Sequence, residues 1–313
     1  MTETMRAIRF HSYGGPEVLR LEDIPRPMPT GSQVLVRVHA SSVNPIDWKL
    51  REGLLQAIMP LRLPATAGQD LAGIVEAVGA DVSDLAPGTA VYAMSGTGEL
   101  GAYAEHAVLD RSVLARAPAG LDFTTAAAVP MGALTAWQGV VAGGGLKAGD
   151  HLLVHAAAGN VGGMAVQLAR ALGAHVTGAA FAKDKALVEG WGAERFVAYD
   201  GGSFDDLKGQ FDVVFDNLGG DVQAQSWELL RPGGILVSTL GIADPARAAA
   251  QGWRASGVRC VPNGDQLARI AALIEGGGVA PRIADVLPLD RAAEAQELNR
   301  TGRVKGKVVL QVA

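Results

Sequence analysis

The 313-residue sequence has a single cysteine, Cys260, so the chain cannot form an internal disulfide or a cysteine-built zinc cluster. It lacks a basic run as well. With 27 Lys and Arg against 32 Asp and Glu, the net charge is -5, which argues against nucleic acid or an anionic membrane as the main partner. No stretch of membrane-spanning length is free of charges and turns. The opening MTETMRAIRF lacks a long apolar core and reads as a strand, not a signal peptide, so the expectation is a cytoplasmic protein. Repeats and low-complexity segments are missing too, apart from glycine triplets at residues 143–145 and 276–278, which read as loops. The hydrophobic share of 49% and abundant glycine and alanine suit a soluble, acidic α/β enzyme, long enough for about two domains.

Against these absences, residues 151–181, HLLVHAAAGNVGGMAVQLARALGAHVTGAAF, carry the strongest signal. Leu152, Leu153 and Val154 give the short apolar run of a parallel strand buried on both faces. After a turn, Val161, Met164, Ala165, Leu168 and Leu172 recur at helical offsets and form one apolar face. Gly173 stands where a helix end takes a left-handed residue, and a second strand begins at His175. The turn approximates the dinucleotide fingerprint GxGxxG, with Ala157 for the first glycine, Gly159 second and Gly162 third. Gly159 would let backbone N–H groups close on a pyrophosphate at a helix N-terminus, and Gly162 would let helix and strand pack tightly. The candidate cofactor-binding residues here are Ala158, Gly159, Asn160, Val161 and Gly162. Such a turn also serves simple packing; its setting between strand and helix gives the functional reading weight.

Up to about Leu121 the chain is β-rich and punctuated by proline and glycine. From there to about Pro262, β and α patterns alternate, which implies a parallel, doubly wound sheet with right-handed crossovers. Ligand should bind at the carboxyl ends of its strands, where Gly159, Ala180, Tyr199, Asn217, Leu240 and Gly241 would gather. Beyond Pro262 the chain returns to the first domain, so the expected division is 1–122 with 263–313, and 123–262.

Several motifs together resemble the medium-chain dehydrogenase/reductase superfamily, in its zinc-independent quinone oxidoreductase branch, which includes zeta-crystallin. They are SSVNPIDWKLREG at 41–53, AGQDLAGIVEAVG at 67–79, AAVPMGALTAW at 127–137, VHAAAGNVGGMAVQLARALGA at 154–174, FDVVFDNLGG at 211–220 and GRVKGKVVL at 302–310. The resemblance implies a GroES-like β-rich catalytic domain with a Rossmann domain. It further implies NADPH-dependent reduction of quinones or α,β-unsaturated carbonyls, and a homodimer joined through Rossmann edge strands, for which residues 258–261 are the candidate. The zinc branch has a Cys at the position of Asn44 and a Gly-His-Glu triplet where this chain has Gly68-Gln69-Asp70, so the metal ligands are gone. The four-cysteine lobe is missing, and the six histidines lack ligand spacing and read as structural. No metal is expected. Two other readings stay open: an enoyl-thioester reductase, and a non-catalytic NADPH-binding protein of the crystallin kind.

Without a metal, hydrogen bonds to a developing enolate must take its place. Asn44, with a donor and an acceptor, is the first candidate to orient the carbonyl or the nicotinamide ribose; an Asn-Pro turn bonding local backbone is the alternative. Asp47 follows in the same motif, where an ion pair or a helix start would also explain it. Gln69, at a former metal-ligand position, could line the substrate pocket. Thr135 matches a family position near the nicotinamide, though a core threonine fits as well. After the second Rossmann strand, at Ala180, the acid typical of an NAD site is missing, and Lys183, Lys185 and Tyr199 stand nearby. Cations there favour the 2′-phosphate of NADPH; the alternative is two solvated helix-face lysines. Arg303 is a weaker candidate for the same phosphate.

Overall fold

The computed structural model describes residues 3–96, 100–302 and 304–313, so Arg303 lies outside the described residues. The chain forms two compact units. One is Met1–Met131 with Pro262–Glu275 and Pro281–Ala313; the other is Gly132–Val261 with Gly276–Ala280.

The first unit begins with strands β1 (Thr4–Phe10), β2 (Arg20–Pro25), β3 (Gln33–Ser42), β4 (Ala65–Thr66), β5 (Asp70–Val78), β6 (Ala90–Met94), β7 (His106–Asp110) and β8 (Leu114–Arg116). Val34, Val36 and Val38 recur with the period of two that puts one face of a strand inward, and they pack with Leu71, Val75, Val91 and Leu109. Helix α1 (Pro45–Arg51) leaves β3 with Pro45 in its first turn, where a missing N–H costs nothing. The boundary expected at residue 122 falls instead at 131, because α2 (Phe123–Ala127) still packs on β3 and β5. Helix α3 (Pro130–Ala136) follows, and a π-helical turn over Trp137–Gly143 extends it.

The second unit holds β9 (His151–His155), β10 (His175–Ala180), β11 (Arg195–Ala198), β12 (Phe211–Asp216), β13 (Leu230–Ser238) and β14 (Arg254–Gly257). All pair in parallel, in the order β11-β10-β9-β12-β13-β14. This is the dinucleotide-binding order, with its topological switch between β9 and β12. Helices α4 (Asn160–Ala171), α5 (Lys185–Gly190), α6 (Gly220–Ser226) and α7 (Pro245–Ala250) connect the strands. The edge strand is β14, not residues 258–261. The β-branched pattern of that segment misleads: Val258 N still bonds Ser238 O, but Val261 N has turned to the Gln138 side chain.

After α8 (Gly264–Glu275), strand β15 (Ile283–Pro288), α9 (Ala292–Thr301) and β16 (Lys307–Gln311) complete the first unit. Strand β16 lies between β15 and β3, pairing Val309 with Ser42. This places Lys307, at the start of β16, beside the end of β3 and the start of α1.

Candidate functional site

In the second unit the turn from β9 to α4 is tightly folded. Ala156 takes φ +51°, a left-handed conformation that side chains disfavour. A Cβ on Gly162 would meet Ala156 O at 2.2 Å, so only glycine permits this approach of helix to turn. The α4 N-cap is Gly159, and the first-turn N–H groups of Asn160, Val161 and Gly162 have no intrahelical acceptor, an arrangement suited to an anion.

A relay of hydrogen bonds braces this turn from below. Tyr199 Oη accepts from Ala156 N at 2.9 Å and lies 3.1 Å from His155 Nδ1, while His155 Nε2 lies 2.9 Å from Ser226 Oγ. Ser226 donates its own hydrogen to Val222 O at 2.6 Å, so it must accept from His155. His155 therefore carries its proton on Nε2, and Tyr199 donates to Nδ1. Burial, against a smaller opposing pull from Asp216, lowers the His155 pKa to about 4, and the ring is neutral. The relay floors a pocket of about 430 Å³ whose walls include Phe181, Tyr199, Phe204, Leu218 and Val222. Asp216, at the carboxyl end of β12, orders the adjoining loops by accepting from Leu218 N, Gly219 N, Gln223 and Ser238. Burial pushes its carboxyl up, but those bonds outweigh it and hold the pKa low.

In the first unit a charged cluster is buried where β3, β5 and β16 meet. Asp70 Oδ2 accepts from Ser42 Oγ at 3.1 Å, Asn44 Nδ2 at 2.9 Å and Lys307 Nζ at 3.3 Å, and Oδ1 accepts from Met131 N at 3.1 Å. Lys307 also donates to Asn44 Oδ1 and, at 3.3 Å, to Val43 O. An ammonium only donates and an ionised carboxylate only accepts, so the Asn44 amide is fixed with its oxygen toward Lys307 and its nitrogen toward Asp70. Asp47 Oδ2 accepts from Asn44 N at 2.8 Å and Tyr103 Oη at 3.0 Å, while Oδ1 has no hydrogen-bond partner. Burial is the main cause that raises the Asp47 carboxyl to about 7; Asp70 adds to it, and Lys307 and the hydrogen bonds oppose it.

The chain matches two family models: an alcohol dehydrogenase GroES-like domain over residues 30–119 and a zinc-binding dehydrogenase over 191–310. It is 34% identical to the NADPH-dependent alkenal/one oxidoreductase of Arabidopsis thaliana, over 98% of this chain and 79% of that protein. To the quinone oxidoreductase of Homo sapiens it is also 34% identical, covering 98% of this chain and 97% of that protein. The chain belongs to the medium-chain dehydrogenase/reductase superfamily, in its zeta-crystallin-like quinone oxidoreductase branch. A solved quinone oxidoreductase from Coxiella burnetii superposes with a TM-score of 0.88 at 33% identity, covering 99% of this chain and 100% of that one.

Within this family frame, the structure brings some sequence candidates together and separates others. Asn44, Asp47 and Asp70 form one cluster. Gln69 is buried beside it, with Nε2 donating to Ser95 O at 3.3 Å and Oε1 unpartnered. Among the described residues no group of three His, Cys, Asp or Glu is placed to hold a metal. Ala158 to Gly162 form the turn and first helical residues, Ala180 is buried at the end of β10, and Thr135 is buried in α3. Asn217 is engaged at both ends, donating to His155 O and accepting from Thr239. Leu240 is 61% exposed, and Gly241 beside it takes φ +84° and accepts from Gln223. Tyr199 turns its hydroxyl inward to the relay. Lys185 pairs with Glu189 at 3.7 Å, whereas Lys183 lies over the Phe181 ring. Lys307 escaped the sequence reading; the one signal is a lysine directly before the apolar run Val308-Val309-Leu310 of the last strand.

Proposed function

We propose that the protein is an NADPH-dependent reductase of quinones or α,β-unsaturated carbonyls that works without zinc. What carries the reading is the buried Asn44–Asp70–Lys307 cluster: at a position where the zinc branch has a ligand, this chain has an amide whose oxygen already receives an ammonium. The residues of the second unit fit a dinucleotide. The free N–H groups of Asn160, Val161 and Gly162 suit its pyrophosphate, and the aromatic walls of the nearby pocket suit an adenine. Lys183 favours a 2′-phosphate. When bound, the reduced nicotinamide supplies the hydride.

The chain's own part is to position the carbonyl and stabilise the charge that develops on its oxygen. Asn44 Nδ2 has a second hydrogen besides the one given to Asp70, and Lys307 at Oδ1 polarises the amide so that this donor strengthens. Lys307 makes three hydrogen bonds of its own and acts through Asn44. The same reading takes the protein as a cytoplasmic homodimer, with β14 as the edge where a second copy pairs.

NADPH oxidation measured with 1,4-quinones, enones, enals and enoyl thioesters, and NADP+ reduction measured with alcohols, tests this reading. Turnover of quinones or enones by metal-free enzyme, unchanged by added zinc, is the expected result; activity confined to alcohols with zinc, or to thioesters, would overturn it.

A further inference from the structure

The acid missing from the end of β10 arrives from the next strand. Asp200 lies just beyond β11, and its Oδ1 accepts from Ala182 N at 2.7 Å, which holds the carboxylate on the 3-10 turn Ala182–Asp184 that follows β10. The same turn carries Lys183, whose ammonium lies 6.0 Å from the centre of the Phe181 ring and forms no ion pair among the described residues. Phe181 is 53% exposed and meets Tyr199 edge-on at 5.9 Å. One short turn thus displays a cation and a carboxylate that are not bridged to each other. In a parallel sheet of this order, this is the place where the adenosine ribose is read: a carboxylate accepts from its hydroxyls, and a cation meets a 2′-phosphate.

We propose that Asp200 is a specificity-determining residue that restrains the preference for NADPH, accepting from the ribose hydroxyls of NADH and repelling the 2′-phosphate that Lys183 attracts. The proposal rests on the nicotinamide reading above and adds a second, opposing determinant to it. Both groups lie at the surface, so the repulsion should weaken with salt.

The test compares dissociation constants for NADPH and NADH, by quenching of protein fluorescence, in wild type, Asp200→Asn, Asp200→Ala and Lys183→Met. Asparagine keeps an acceptor for Ala182 N and removes only the charge. Asp200→Asn should tighten NADPH on the order of tenfold at low salt, with a smaller gain at high salt, and should not tighten NADH. Lys183→Met should weaken NADPH alone. An unchanged NADPH-to-NADH ratio in Asp200→Asn would overturn the proposal. So would equal losses for both dinucleotides in Asp200→Ala with no change in Asp200→Asn, since Asp200 would then only cap the turn. Failure of the wild type to bind either dinucleotide is a different result, which defeats the nicotinamide reading itself.

Discussion

The first unit buries Asp47, Asp70 and Lys307 together, whereas in the second the buried relay of His155, Tyr199 and Ser226 carries no charge. Each arrangement fixes the group it serves: the Asn44 amide in one, the Ala156 turn in the other. They differ in what happens when a member is lost. Taking one partner from a buried ion pair leaves an uncompensated charge in a medium that solvates it poorly, while shortening a neutral relay leaves only dipoles unsatisfied. The two sites should therefore respond differently to substitution and to pH.

Lys307→Met should have the largest effect. It strands the Asp70 carboxylate and should cost about 3–5 kcal/mol of stability. Thermal unfolding would show a drop of about 2–4 °C for each kcal/mol. Adding Asp70→Asn to this variant should recover part of the loss, because the stranded charge is then gone; no recovery would mean that Lys307 acts by packing. Gly162→Ala comes next. Its Cβ would meet Ala156 O at 2.2 Å, so the turn must shift, at about 1–3 kcal/mol. Titration should show weaker binding of NADPH and NADH alike, with the Asn44 cluster untouched.

The same contrast governs how much the sequence reveals. The nucleotide turn is contiguous: its glycines, the apolar strand before and the amphipathic helix after stand within thirty-one residues, because backbone N–H groups and close packing do the work. The parallel sheet follows from alternating patterns for the same reason. The ionic cluster is assembled across the chain, with Lys307 lying 237 residues from Asp70, and no local period marks such a pair. The resemblance led to Asn44 and Gln69 but not to the cation that orients Asn44. Tyr199 shows the complementary difficulty, since its place after β11 is legible and the direction of its hydroxyl is not. Asp200 lies just beyond β11, one strand away from the end of β10 where the dinucleotide pattern puts an acid.

Tyr199→Phe sharpens the comparison at a smaller scale. It removes the hydroxyl between Ala156 N and His155 Nδ1 and should cost about 1–3 kcal/mol by leaving both unsatisfied. If the relay braces the turn, titration should show NADPH and NADH weakened by the same factor. A loss confined to NADPH would make Tyr199 a phosphate contact instead.

The smallest expected effect is a pH dependence of opposite sign in the two units. Asp47 has its carboxyl raised from an ordinary 3.8 to about 7, so between these values the folded state holds a proton that the unfolded chain releases. Stability from this group is present at acid pH and is lost as the pH rises through about 7. His155 is lowered from 6.5 to about 4, so its contribution is full above 6.5 and is lost as the pH falls toward 4. Asp47→Asn keeps an acceptor for Asn44 N and Tyr103 and cannot ionise. In unfolding curves from pH 4 to 8 it should flatten the alkaline limb and leave the acid limb in place. The gain over wild type should be a few degrees at pH 8, at about 2–4 °C per kcal/mol, and close to nothing near pH 4. An equal shift at both pH values would show that Asp47 enters the fold already ionised, and that the charged cluster tolerates a third buried charge that the neutral relay could not.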